Sequence, residues 1–71
     1  MPTNANAAGG ALRASREAAG ITLNELASRA GVSASTLSRF ETGQRTLAPN
    51  TYAHTMTALG HLLHNRTEDA A

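Results

Sequence analysis

The sequence predicts an all-α fold of four to five short helices, and three observations carry that prediction. Apolar residues recur at helical spacing: Leu23, Leu26, Ala27 and Ala30 fall on one face, and Leu37 and Phe40 follow at i, i+3. Helix starts and stops are marked, with Thr22, Ser33 and Pro49 at starts and Gly20 and Gly31 at stops. The chain has 71 residues, no cysteine and no apolar run of membrane-spanning length. A chain of that kind is one small domain, held by packing and association rather than by disulfides or thiolate-bound metal.

The elements follow in order. Residues 1–8 contain no large apolar anchor and are expected to form a flexible N-terminal arm. The arm has no Arg or Lys, so it does not suit the minor groove. Residues 9–19 form the first predicted helix, with Ala11, Leu12, Ser15 and Ala19 turned inward. Gly20 ends it, and Ile21 starts the crossing to Thr22. Thr22 and Glu25 have capping-box spacing, in which each side chain satisfies the other's orphan backbone N–H. Ala27 is small, as a close crossing of two helices joined by a tight turn requires. Gly31 suits the left-handed backbone that ends a helix, because it has no Cβ. Val32 plugs the corner, and Ser33 caps the next helix.

Residues 42–48 are a predicted loop, and Pro49 fits the first turn of the following helix, where its missing N–H costs nothing. That helix is expected to run to about Leu59, with Tyr52, Met56 and Leu59 on one face and Ala53 beside them. Gly60 is expected to break it, leaving residues 61–65 as a short fifth helix built on Leu62 and Leu63. Residues 67–71 are expected to be a disordered tail, which gives a domain of residues 9–66.

The net charge is only +1, but its distribution is uneven. All six cationic side chains are arginines: Arg13, Arg16, Arg29, Arg39, Arg45 and Arg66. Setting aside Glu68 and Asp69 in the tail leaves only Glu17, Glu25 and Glu41 against them, so the body is basic. Arginine forks bidentately to phosphate or guanine in a way lysine cannot. Genome composition accounts equally well for the missing lysines in so alanine-rich a chain.

The pattern Leu26-Ala27, Gly31-Val32, Leu37, Phe40 and Glu41-x-Gly43 resembles the Cro/repressor-type helix-turn-helix of the lambda-repressor-like DNA-binding domains. The resemblance extends to Leu12-Arg13-x-x-Arg16 and Gly20 upstream and to Leu59 downstream. It implies that the second helix of the motif enters the major groove, with Ala34, Ser35, Ser38 and Arg39 reading bases. Arg39 is the candidate for a bidentate guanine contact, and Ala34 for a thymine methyl. Thr22, Leu23, Thr36, Thr42, Gln44 and Arg45 match positions that contact the DNA backbone. The resemblance also implies an inward salt bridge between Arg16 and Glu41. Three positions depart from the family pattern. Leu23 stands where glutamine is usual, Thr55 where the fourth helix is usually apolar, and Ala48 where a helix cap is usual.

The expected partner is double-stranded DNA, bound by a homodimer on a palindromic operator, with Leu62 and Leu63 at the dimer contact. Two-fold pairing doubles the readout available to so small a module. With no ligand-sensing domain expected, a Cro-like or controller-like regulator would respond through its own concentration. No membrane-spanning or signal-peptide pattern is present, which makes the cytoplasm the expected location. The rival reading is an antitoxin-type protein-interaction module that also binds DNA, but its partner-wrapping tail would need more than about five residues. His54, His61 and His64 have no carboxylate or thiolate near them in sequence, so no metal is expected. The serines have no evident histidine–acid partner, and no glycine-rich phosphate loop exists. Neither an enzyme nor a cofactor is expected.

Overall fold

Thr22 and Glu25 do close a helix start. In the computed structural model, the Glu25 N–H donates to Thr22 Oγ1 at 3.0 Å and the Thr22 N–H donates to Glu25 Oε1 at 3.1 Å. The structure describes residues 4–70, and side chains within residues 7–65. Its four helices are α1 (Asn4–Ala18), α2 (Leu23–Ala30), α3 (Ala34–Glu41) and α4 (Pro49–Ala70). Helix α2 packs on α4, α1 on α3, and α2 on α3.

The first three helices end by the same device. At the end of α2, Gly31 sits at φ +77°, its N–H donates to the Ser28 carbonyl, and the Val32 N–H donates to the Ala27 carbonyl at 3.0 Å. These two bonds are the Schellman closure, which satisfies carbonyls that the helix itself leaves unpaired. Gly20 closes α1 through the Glu17 and Arg16 carbonyls, and Gly43 closes α3 through those of Phe40 and Arg39. The residue after each glycine is then aimed by the closure. Ile21 goes fully into the core, and Val32 packs against its edge.

That core is formed by Leu12, Ile21, Leu26, Ala27, Leu37, Phe40, Ala58, Leu59 and Leu62. Leu23, Leu47 and Leu63 pack against it while partly exposed.

Several sequence expectations are corrected here. Helix α1 starts at Asn4 rather than Gly9, so residues 4–8 of the expected arm are helical, while residues 1–3 lie outside the described residues. Its inward stripe is Gly9, Leu12, Arg16 and Ala19; Ala11 and Ser15 face water. The stripe was obscured because two of its members are a glycine and an arginine.

Gly60 does not break α4, and there is no separate fifth helix among the described residues. An interior glycine costs about 1 kcal/mol relative to alanine. Leu59 and Leu62 flank it and are both buried, and each buried leucine returns about 1.5–3 kcal/mol, so the helix continues. The expected tail falls partly within this helix, which extends to Ala70; Ala71 is outside the described residues.

The α4 face is also rotated from expectation. Thr55, Ala58, Leu59 and Leu62 are buried, whereas Tyr52 and Met56 are exposed. Thr55 is completely buried, and its hydroxyl donates to the Thr51 carbonyl at 2.8 Å. A threonine thereby occupies an apolar position without stranding a polar atom.

Candidate nucleic-acid interface

Helix α3 is held from behind before it presents anything in front. Arg16 Nε and Nη2 donate to the two oxygens of Glu41, each at 2.9 Å, and Arg16 Nη1 donates to the Ile21 carbonyl at 2.8 Å. Both side chains are buried. One guanidinium therefore joins α1, the crossing before α2, and the last residue of α3. The hydrogen bond to Glu41 pushes the Arg16 pKa up, against the opposing effect of burial. A cation whose pKa is raised on folding stabilises the fold at every pH below its ordinary value. This contribution is therefore constant through the neutral range and is lost in strong alkali.

A second restraint carries no side chain at all. Gly9 of α1 lies against the backbone at the end of α3, where a Cβ would overlap the Phe40 carbonyl oxygen. Sequence reasoning missed this contact. Its only signal is the place of Gly9 one turn before Leu12 on the same stripe.

The N-terminus of α3 is set by Ser33. Its Oγ accepts the Thr36 N–H at 3.0 Å and donates to Thr36 Oγ1 at 2.9 Å. The Thr36 hydroxyl receives that proton and keeps its own for an outside acceptor such as a phosphate oxygen. Beyond the cap, Ser35 and Arg39 are exposed one turn apart, and Ala34 and Ser38 are half-buried beside them. The candidate base readers thus share one α3 face, with the Arg39 fork projecting from it.

The backbone candidates are less uniform. Thr22 is exposed at the start of α2, and Leu23 next to it is half-buried against the core. Leu23 has no polar atom to bridge phosphate and recognition helix, so its side chain serves packing. The Thr42 hydroxyl lies 3.1 and 3.3 Å from the Ser38 and Arg39 carbonyls. Its single proton is committed to these oxygens, so Thr42 caps α3 and is a poor phosphate donor.

The loop beyond is pinned by the Arg39 carbonyl, which accepts the N–H of Gln44 at 2.7 Å and of Arg45 at 3.3 Å. An open cleft of about 580 Å³ follows, lined by Arg39, Gln44, Arg45 and Thr46. Arg45 Nε donates to the Thr46 carbonyl at 3.2 Å, which uses one of its five N–H groups. Thr46 is the lining residue that the sequence did not single out.

At the other end of the molecule, Leu62 is buried and Leu63 is half-buried, so Leu63 is the outward member of that pair. No helix among the described residues is long and apolar enough to cross a membrane. No group of three or more metal-ligating side chains gathers among them.

Two short capped helices at a glycine turn, the second presenting Ser35 and Arg39 to solvent, define a helix-turn-helix module. A family model described as a helix-turn-helix domain matches residues 7–68, and the chain belongs to that family of DNA-binding transcription regulators. Among solved structures, the crystal structure of the clp gene regulator ClgR from C. glutamicum is similar, with 33% sequence identity and a TM-score of 0.79. The similarity covers 100% of this chain and 97% of that one. No curated protein matches.

Proposed function

We propose that the protein regulates transcription as a homodimer that reads an inverted-repeat operator in duplex DNA, as a binding module and not an enzyme. The observation that carries this reading is the α3 face. Ser35 and Arg39 project from a short helix whose far end is fixed by the Arg16–Glu41 pair, with the arginine cleft of the next loop beside it. A helix fixed from behind and polar in front suits the major groove, where a guanidinium bonds guanine O6 and N7 together. Arg45, Gln44 and Thr36 supply donors for the flanking phosphates, which position the helix without specifying sequence. ClgR is a clp gene regulator, and its likeness over the whole chain supports a regulatory role here.

A dimer of this geometry places recognition helices one DNA turn apart, about 34 Å, so half-site centres fall about 10 base pairs apart. Selection of bound sequences from a random duplex pool, followed by footprinting, tests the proposal. It expects an inverted repeat protected over both halves. A single half-site bound by one chain at full affinity would refute the paired reading.

A further inference from the structure

We propose that Gly9 is a positioning residue for DNA binding: with no side chain, it lets α1 back the Phe40 carbonyl and so sets the loop that carries Gln44 and Arg45. This inference rests on the DNA-binding reading above and deepens it by naming what holds the phosphate donors in place. Gly9 is buried, while its neighbour Gly10 is exposed on the same turn of α1. A Cβ at Gly10 would meet nothing within 4 Å. A Cβ at Gly9 would overlap the Phe40 carbonyl oxygen and come within 2.9 Å of the Phe40 carbonyl carbon and 3.1 Å of Glu41 Cα. All three atoms are backbone, so no side chain can swing aside to make room. Neither glycine is at positive φ, so alanine suits the helical backbone at both. What separates the two positions is what stands opposite.

The loop hangs from the peptide group that Gly9 touches. The Phe40 carbonyl accepts the N–H of Gly43 at 3.1 Å. The Arg39 carbonyl, one residue earlier, accepts the N–H of Gln44 at 2.7 Å and that of Arg45 at 3.3 Å. Gly43 turns at φ +80°, so the chain changes direction directly beyond this point. Gln44 and Arg45 then line the cleft with Arg39. Gly9 thus stands behind the carbonyl whose other side holds the start of the loop.

A methyl at Gly9 forces a displacement on the order of 1 Å, since nonbonded atoms settle at about 3.5–4.0 Å. Two movements can supply it. Helix α1 can move off α3, but Arg16 lies two turns along the same stripe and holds Glu41 by two hydrogen bonds of 2.9 Å. That movement pulls apart a buried ion pair. The Phe40 carbonyl can instead tilt, at the expense of one backbone hydrogen bond to Gly43. The second movement costs less, so the displacement passes into the loop. The start of α3 is held separately, by the Ser33 Oγ that accepts the Thr36 N–H at 3.0 Å. Base reading and phosphate contact therefore rest on different supports, and Gly9 belongs to the second.

The test uses the full chain on its selected duplex and on a random duplex. Gly9→Ala is made in the Gly10→Ala background, which the added helix propensity should stabilise, and is compared with Gly10→Ala alone. Circular dichroism checks that both are folded at the temperature of the binding measurement. Gly9→Ala should weaken binding about tenfold on both duplexes and lower the salt slope by about 1 per chain, as loss of a phosphate contact does, with base preference unchanged. In a chain already carrying Gln44→Ala and Arg45→Ala, the same substitution should weaken binding less than about twofold, because the contacts it displaces are already gone. In the free protein, the amide resonances of Gly43, Gln44 and Arg45 should shift and that of Thr36 should not. Binding and salt slope like those of Gly10→Ala would overturn the positioning role and leave the DNA reading intact. An undiminished tenfold loss without Gln44 and Arg45, or loss of folding in the stabilised background, would also overturn it, by placing the strain in the packing of α1 on α3. A parent chain that selects no duplex and binds none would overturn the DNA reading and the positioning role together.

Discussion

Across α1–α3, the polar groups taken into the interior are bonded across elements, while along α4 they are bonded only within the helix. Arg16 and Glu41 are 25 residues apart and share two hydrogen bonds. Thr55, the buried polar residue among the described side chains of α4, bonds to Thr51, one turn away. The first three helices also share one closing device, whereas α4 begins at Pro49 behind Ala48, which offers only its backbone carbonyl to the Tyr52 N–H. Cross-element bonds fix where one helix stands relative to another. A bond within a helix satisfies a buried atom without fixing anything outside it. Position therefore matters most where the module meets DNA, and α4 is left as an apolar support with a neutral flank.

The sharpest way to break this contrast is Glu41→Ala. It strands the Arg16 charge in the interior and should cost about 3–5 kcal/mol, which approaches the whole stability of so small a domain. Denaturant unfolding measures it, and a melting curve like the parent's would show that the pair does not brace α3. Gly9→Ala comes next. Alanine favours helix by about 1 kcal/mol, but here its methyl meets the Phe40 carbonyl, and overpacking of this kind costs about 1–3 kcal/mol. Gly10→Ala is the internal control, because nothing lies within 4 Å of that Cβ, and it should stabilise the fold.

Arg39→Ala tests the front of the braced helix. It should cost about 1–3 kcal/mol per base contact and relax preference at one position in each half-site. Arg45→Ala should weaken all sequences alike and flatten the salt dependence. Equal effects of both variants on selected and random duplexes would remove Arg39 from the base readers. The smallest effect belongs to α4. Thr55→Val exchanges a self-satisfied hydroxyl for a methyl of similar size, and its stability change should stay within about 1 kcal/mol. A loss approaching that of Glu41→Ala would erase the distinction between the two regions.

Legibility in the sequence divides along the same line. Caps and closures are local chemistry, so Thr22 with Glu25, Gly31 and Ser33 were readable from spacing, and α2 and α3 fall where expected. The Arg16–Glu41 pair was legible only through family resemblance, since nothing local joins residues so far apart. Helix α4 was misread for two reasons. Gly60 looks like a stop when its burying neighbours are ignored, and Tyr52 and Met56 look more like core than Thr55 does. Tertiary packing overrode propensity at Gly60, and a hydroxyl bonded to its own helix overrode hydropathy at Thr55. That the Thr42 hydroxyl proton is spent on the end of α3 is something only geometry reveals. Gly9 was hidden because a contact made by the absence of a side chain leaves no pattern.

The Arg16 fork has a consequence for local opening. It bonds the Ile21 carbonyl and the Glu41 carboxylate together from α1, so neither α1 nor α3 can detach without breaking it. Helix α4 is not attached to that side chain. Segments that open together share one free energy of hydrogen exchange, and segments without cross-links open sooner. The amides of α1 and α3 are therefore expected to open together, and the recognition helix shares the protection of α1 despite its eight residues.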